Sequence, residues 1–146
     1  MKAKQALATI VGLSTIALSG ITHAQGDVTI SIARHAQLTL DGAVIIRVHI
    51  ACDPLPGFED FQEALAGAGQ EKTGAEAEGG IDGTVVCDGT ARTHTARLSS
   101  FSDFVFKRGP AAAGASLVVC NVVGQDQVCQ QGSAAREIVI RGRTVP

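Results

Sequence analysis

Residues 42–52, GAVIIRVHIAC, decide the fold. Every second residue of this run, Val44, Ile46, Val48, Ile50 and Cys52, is apolar, which is the period of a strand with one buried face. Ile45, Arg47, His49 and Ala51 fall on the opposite face and suit a surface. The buried face ends in a cysteine able to tie the strand to a neighbour.

Working upstream, Val28, Ile30 and Ile32, then Ala36, Leu38 and Leu40, alternate with Thr29, Ser31, Ala33, Gln37 and Thr39. The pattern predicts an edge-type strand bent near Arg34 and His35. Asp41-Gly42 joins it to the organising strand, and Asp-Gly between two alternating runs predicts a type I′ hairpin with both central residues at positive φ. Downstream, Asp53-Pro54-Leu55-Pro56-Gly57 ends the strand, because proline cannot donate to a ladder and forces its predecessor extended.

Residues 58–70, FEDFQEALAGAGQ, are ambiguous. Phe58, Phe61 and Leu65 have helical spacing, while Gly67, Gly69 and the need for a partner strand between Cys52 and Cys87 favour a strand. We read the stretch as strand. Residues 71–80 are rich in Gly, Ala and Glu and read as a loose connection or a poor edge strand. Residues 81–87 read as a strand that Asp88-Gly89 turns into a further one over 91–98. Phe101, Phe104 and Phe106, three of the five aromatic residues, are expected to plug the core ends. A strand over 111–120, a hairpin tip over 122–128 and a closing strand over 134–141, with Ile138 and Ile140 inward, complete the chain. About seven short strands with closely spaced turn signals predict an all-β, antiparallel sandwich.

The amino-terminal residues have the anatomy of an export signal. Lys2 and Lys4 precede a thirteen-residue apolar segment, ALATIVGLSTIAL, and Thr22-His23-Ala24 offers small residues before a cut after Ala24. That apolar run is far short of the roughly 20 residues a spanning helix needs. Ile21, where a lipoprotein would carry its lipidated cysteine, argues against a lipid anchor. We therefore expect a signal peptide over 1–24 and a single domain over 25–146, secreted to the periplasm or the medium, with no membrane span.

Without the signal, ten basic residues stand against 14 acidic ones. From 53 to 88 there are nine acids against Lys72 alone, and from 89 to 146 seven basic residues against three acids. The acidic block reads as solvated loop. The basic residues Arg92, Arg97, Lys107, Arg108, Arg136, Arg141 and Arg143 are scattered, and with neither Trp nor Tyr between them to stack bases, nucleic acid is not expected as a partner.

Four cysteines in an exported chain argue for two disulfides, with three pairings open. We favour Cys52 with Cys87 and Cys120 with Cys129, since the second pair flanks a short hairpin segment. Spacings of 34 and eight intervening residues match no compact zinc knuckle, so no metal is expected.

The order of these features resembles a set of small secreted bacterial immunoglobulin-like domains of uncharacterised function. The resemblance rests on Cys52 ending a strand, Cys87-Asp88-Gly89, a Thr-rich strand, Phe104 and Phe106 before Gly109-Pro110-Ala111, and a final strand with Arg136 and Ile138. It implies an immunoglobulin-like β-sandwich and carries no catalytic residue. The core tryptophan and corner tyrosine of antibody domains are absent.

Nucleophile elbows, HExxH, Walker loops and dinucleotide fingerprints are missing, so neither an enzyme nor a cofactor is expected. His49 and His94 lie on predicted strands and could approach one another, and Glu59, Asp60 and Glu63 bring carboxylates close in sequence. Ordinary strand residues and a solvated loop account for both sets. The expected function is a secreted interaction module that contacts a protein or cell-envelope partner through loops or edges. The alternative is a small apolar ligand carrier, similar in architecture to secreted apoproteins of enediyne chromophores, with a cleft lined by Phe58, Phe61, Phe101, Phe104 and Phe106.

Overall fold

The computed structural model describes residues 27–142. The expected signal peptide over 1–24 lies outside the described residues. β3 (Val44–Cys52) has the alternation its sequence predicts, with Val44, Ile46, Val48, Ile50 and Cys52 buried and Arg47 and His49 exposed. It is bonded along both edges. β6 (Arg92–Leu98) runs antiparallel on one side; β1 (Val28–Ile32) and β2 (His35–Leu38) share the other.

β1 and β2 are the two halves of the single bent strand expected from sequence. Between them the Ala33 N–H donates to the Arg47 carbonyl at 2.9 Å, and the Val139 N–H donates to the Arg34 carbonyl at 2.8 Å. Two consecutive residues thus bond to two different strands. Beyond the break, β2 runs parallel to β8 (Asp126–Arg141), with His35, Ala36 and Gln37 opposite Val139, Ile140 and Arg141. From β8 the sheet continues antiparallel through β7 (Gly109–Val123), β4 (Phe58–Gln70) and β5 (Ala75–Gly80). Among the described residues this makes eight strands, against about seven expected, and no helix. Residues 58–70 are strand, and of the two readings of 71–80 the structure has an edge strand over Ala75–Gly80.

One core joins the two ends of this sheet. The buried side chains of β3, with Ala96 and Leu98 of β6, cluster with Ala66 and Ala68 of β4 and with Ala111, Ala113, Ala115, Leu117 and Val119 of β7. Large residues on β3 and small ones on β4 and β7 share this cluster, a combination that permits close approach of the strands. The closest approach is at Gly132 of β8, where an added Cβ would sit 2.7 Å from a Val28 methyl and 2.9 Å from the Val28 carbonyl oxygen. Only glycine lets β1 pass there.

Two glutamines of β4 supply hydrogen bonds that no neighbouring strand provides. The Gln62 amide donates to the Val85 carbonyl at 2.8 Å, and its oxygen accepts the Val85 N–H at 2.9 Å. Gln70, which is 2% exposed, does the same for Lys107, donating at 2.7 Å and accepting at 2.8 Å. Each carboxamide imitates the peptide of an absent strand neighbour. This corrects the reading of residues 81–87 as strand. Gln62 holds Val85, Gly83 turns left-handed at φ 79°, and Cys87 is tethered to Cys52, so the segment is irregular yet pinned.

Other local readings change as well. In the β2–β3 turn only Gly42 has positive φ, 85°, and the Gly42 N–H donates to the Thr39 carbonyl at 3.2 Å. That is a type I turn with a bulge glycine, not type I′. Asp41 stays right-handed because its carboxylate is engaged by the Thr39 hydroxyl and by Arg97. The hairpin tip expected over 122–128 shrinks to Gly124 and Gln125, since β7 and β8 remain paired out to Val123 and Asp126.

The disulfides join Cys52 to Cys87 and Cys120 to Cys129, the pairing favoured from sequence. Cys120 and Cys129 lie directly opposite each other on β7 and β8. By loop-closure entropy the two bonds contribute ~3.8 and ~2.7 kcal/mol. Replacing Cys52 and Cys87 together by Ala is therefore expected to lower the denaturation midpoint more than the same change at Cys120 and Cys129, as urea unfolding of the oxidised proteins will measure. Gln70→Leu leaves the Lys107 N–H and carbonyl unpaired and is expected to cost about 2–4 kcal/mol in the same titration with little change in m-value.

Candidate functional site

The five phenylalanines do not converge on a cleft. Phe106 alone is buried, packed into the core at 2% exposure. Phe101 and Phe104 were expected in the core with it, but they are exposed. The physical reason is their loop: residues 99–108 leave β6, cross the end of the sheet and are held at Phe101 by a main-chain bond to Glu76 and at Lys107 by Gln70, which draws Phe106 inward and leaves the preceding rings outside.

The exposed rings fall at opposite ends. Phe58, 86% exposed, lies opposite Val122, and Phe61 lies opposite Cys120. Val123, exposed as well, is beside the β7–β8 turn at this same end. The other end is built from three segments. The Phe104 ring covers Gly74 of the β4–β5 turn, 3.5 Å from where a side chain there would begin. Val105 stands in the same relation to Gly42, at 3.4 Å, and the Phe101 N–H donates to the Glu76 carbonyl. Leu40, 63% exposed, projects from the β2–β3 turn that Val105 touches. β4 spans the distance between the ends, about 40 Å at the rise of a strand.

The two ends differ in charge. Glu59, Asp60, Glu63 and Asp126 flank the Phe58 end, while Lys107, Arg108 and Arg141 flank the Phe104 end. Arg108 lies against the backbone at Gly142, next to Arg141.

The arginines scattered in sequence are gathered by the β1–β2 break. Arg34 lies in it, Arg47 accepts a main-chain bond from Ala33, and the Arg136 guanidinium donates to the Ile32 carbonyl at 2.9 Å. Arg141 donates to His35 Nε2 at 2.8 Å. All five residues are exposed, and among the described residues none of the four arginines has a carboxylate within ion-pair distance. The two ion pairs found lie elsewhere, Arg92 with Asp88 and Arg97 with Asp41. The Arg92 guanidinium and the Thr90 N–H hold the Asp88 carboxyl well below the usual carboxylate range.

The histidines and acids that could have met lie apart. His49 is opposite Thr93 and His94 opposite Val48, consecutive rungs of one ladder, so their side chains leave opposite faces. His49 Nδ1 instead lies 2.9 Å from the Thr93 hydroxyl, and His94 Nδ1 lies 3.4 Å from the Asp82 carbonyl. Glu59 pairs opposite Asn121 and Glu63 opposite Val118, again on opposite faces because of the bulge at Asp60. Among the described residues no three His, Cys, Asp or Glu side chains are grouped to hold a metal ion.

Sequence reading missed Leu40, Val105 and the arginine cluster. Leu40 carried a signal, an apolar residue beside Asp-Gly in a tight turn, where no strand alternation can bury it. The cluster carried none, because Arg34, Arg47, Arg136 and Arg141 are brought together only by the crossing of the chain from β3 to β8.

Partial desolvation at the strand edge, then the positive charges of Arg141, Arg34, Arg136 and Arg47, hold His35 below its ordinary pKa of 6.5. A depressed histidine binds its proton more weakly in the folded chain than in the unfolded one, so stability is lost as pH falls through about 6.5 and levels off once the folded chain also protonates. The expected outcome is a smaller fall in Tm between neutral pH and pH about 5 in His35→Gln than in the unaltered protein. No family model matches this chain, and no curated protein or solved structure is detectably similar to it.

Proposed function

We propose that the chain is an exported immunoglobulin-like β-sandwich acting as a non-catalytic interaction module, with a protein or a cell-envelope surface as its partner. The observation that carries this reading is the placement of exposed apolar side chains. Leu40, Phe101, Phe104 and Val105 gather at one end, and Phe58, Phe61 and Val123 at the other, on turns and strand ends held by a rigid sheet. Apolar groups clustered in this way mark contact surfaces, and loops on rigid β scaffolds commonly carry them. Two disulfides are compatible with an oxidising compartment outside the cytoplasm. In the sandwich reading β1, β3 and β6 form one layer and β2, β8, β7, β4 and β5 the other, with the chain changing layers at Ala33 and Arg34. The placement of the phenylalanine rings, with Phe106 buried and the others exposed at the two ends, supports this reading over the ligand-carrier alternative.

Fluorescently labelled protein is expected to bind washed producer cells saturably and to be displaced by excess unlabelled protein. Substituting Phe58→Ser, or Phe101→Ser with Phe104→Ser, is expected to weaken that binding about tenfold or more at whichever end is engaged. Ala135→Ser, in the exposed middle of β8, should leave it unchanged. Binding that does not saturate, or that neither end affects, would overturn the reading.

A further inference from the structure

We propose that the end bearing Leu40, Phe101, Phe104 and Val105 docks on an anionic phospholipid surface, with the apolar side chains entering the headgroup boundary and Lys107, Arg108, Arg141 and Arg34 meeting lipid phosphates. This rests on the interaction-module reading and names the partner of one end.

Two observations coincide at this end and nowhere else among the described residues. The first is apolar. Four large side chains between 51% and 71% exposed come from two separate turns, Leu40 from one and Phe101, Phe104 and Val105 from the other. The loops are fixed in place: Gln70 anchors Lys107 through two hydrogen bonds, and the Thr39 hydroxyl accepts from the Ala43 N–H at 2.9 Å to brace the Leu40 turn. A rigid apolar cap enters an interface at low entropic cost, and phenylalanine contributes large area with few rotatable bonds.

The second observation is charge. Arg108, three residues after Val105, lies against the backbone at Gly142 beside Arg141; Arg141 reaches His35, and Arg34 precedes His35 in the chain. Behind these lie Arg47 and Arg136. The acids nearest the cap are Asp103, within the loop, Glu71 and Glu76 by the β4–β5 turn, and Asp41, which Arg97 already engages. Guanidinium groups without carboxylate partners, set around exposed apolar side chains, complement a surface of phosphate groups over hydrocarbon. At the opposite end Phe58 and Phe61 are surrounded by Glu59, Asp60, Glu63 and Asp126, and an anionic surface would repel it. The charge asymmetry therefore selects which end faces lipid.

The test is sedimentation of the purified, oxidised protein with vesicles of phosphatidylglycerol and phosphatidylethanolamine, and separately with vesicles of phosphatidylcholine alone. Binding to the anionic vesicles, weakened by salt, and little to the neutral ones, is expected. Arg108→Gln with Arg141→Gln should lower affinity about 25-fold, fivefold for each charge removed. Phe101→Ser with Phe104→Ser should lower it about tenfold or more, whereas Phe58→Ser should not change it. All these positions are exposed, and an unchanged thermal transition will show that each variant is folded. Absence of vesicle binding, or equal binding to neutral vesicles, would overturn the proposal. So would the arginine variant losing binding while the phenylalanine variant keeps it, the outcome for a purely electrostatic surface such as a sulfated glycan would need. Vesicle binding absent alongside saturable cell binding would remove the lipid assignment and leave the interaction module standing.

Discussion

Four residues, His35, Ala36, Gln37 and Leu38, hold the two halves of this protein in one sheet. β2 is bonded along one edge to β3 and along the other to β8, so the sheet folds back on itself. Its buried face can then be covered by its own far end. Without that double pairing the apolar stripe of β3 would face water, at roughly 25 cal/mol for each Å² exposed. The core has few large side chains, and its alanine-lined β4 and β7 surface contributes only if the β3 stripe is pressed directly against it. β1 passes close over Gly132, and the disulfide from Cys52 to Cys87 tethers the end of β3.

The same crossing explains the surface. Passing from β3 to β8 brings residues remote in sequence, Arg34, Arg47, Arg136 and Arg141, around one histidine, and the ion pairs found among the described residues lie elsewhere. Acidic residues are instead concentrated on β4 and β5 and the turns beside them. The electrostatic polarity of the protein is thus a product of strand order, with the net charge of the chain saying little about it.

Irregular segments have a different logic. The long connections 81–91 and 99–108 are neither strands nor free loops, since a side-chain amide of β4 supplies each with the hydrogen bonds of a missing neighbour. Asn121 and Gln130 act similarly on residues 53–56, donating to the carbonyls of Leu55, Pro56 and Asp53. Buried peptide groups must be satisfied, and these amides do so without adding strands. This rigidity is what holds apolar side chains such as Phe104 in water at a fixed position instead of letting them collapse onto the core.

What the sequence determined by itself is what depends on local period and chemistry. The two-residue alternation of 44–52, the bend near Arg34, the glycine-bearing turns and the cysteine pairing are all legible, because each follows from adjacent residues or from spacing along the chain. The strand over 58–70 was legible only by weighing its glycines against its helical spacing. Tertiary structure alone decided the rest. Residues 81–87 have the composition of a strand, yet Val85 is claimed by Gln62 from 23 positions away. His49 and His94 are near in register but point to opposite faces, and Phe101, Phe104 and Phe106 share a motif but divide between water and core. In each case the outcome was set by a partner remote in sequence, and a one-dimensional pattern carries no record of which partner folding will supply.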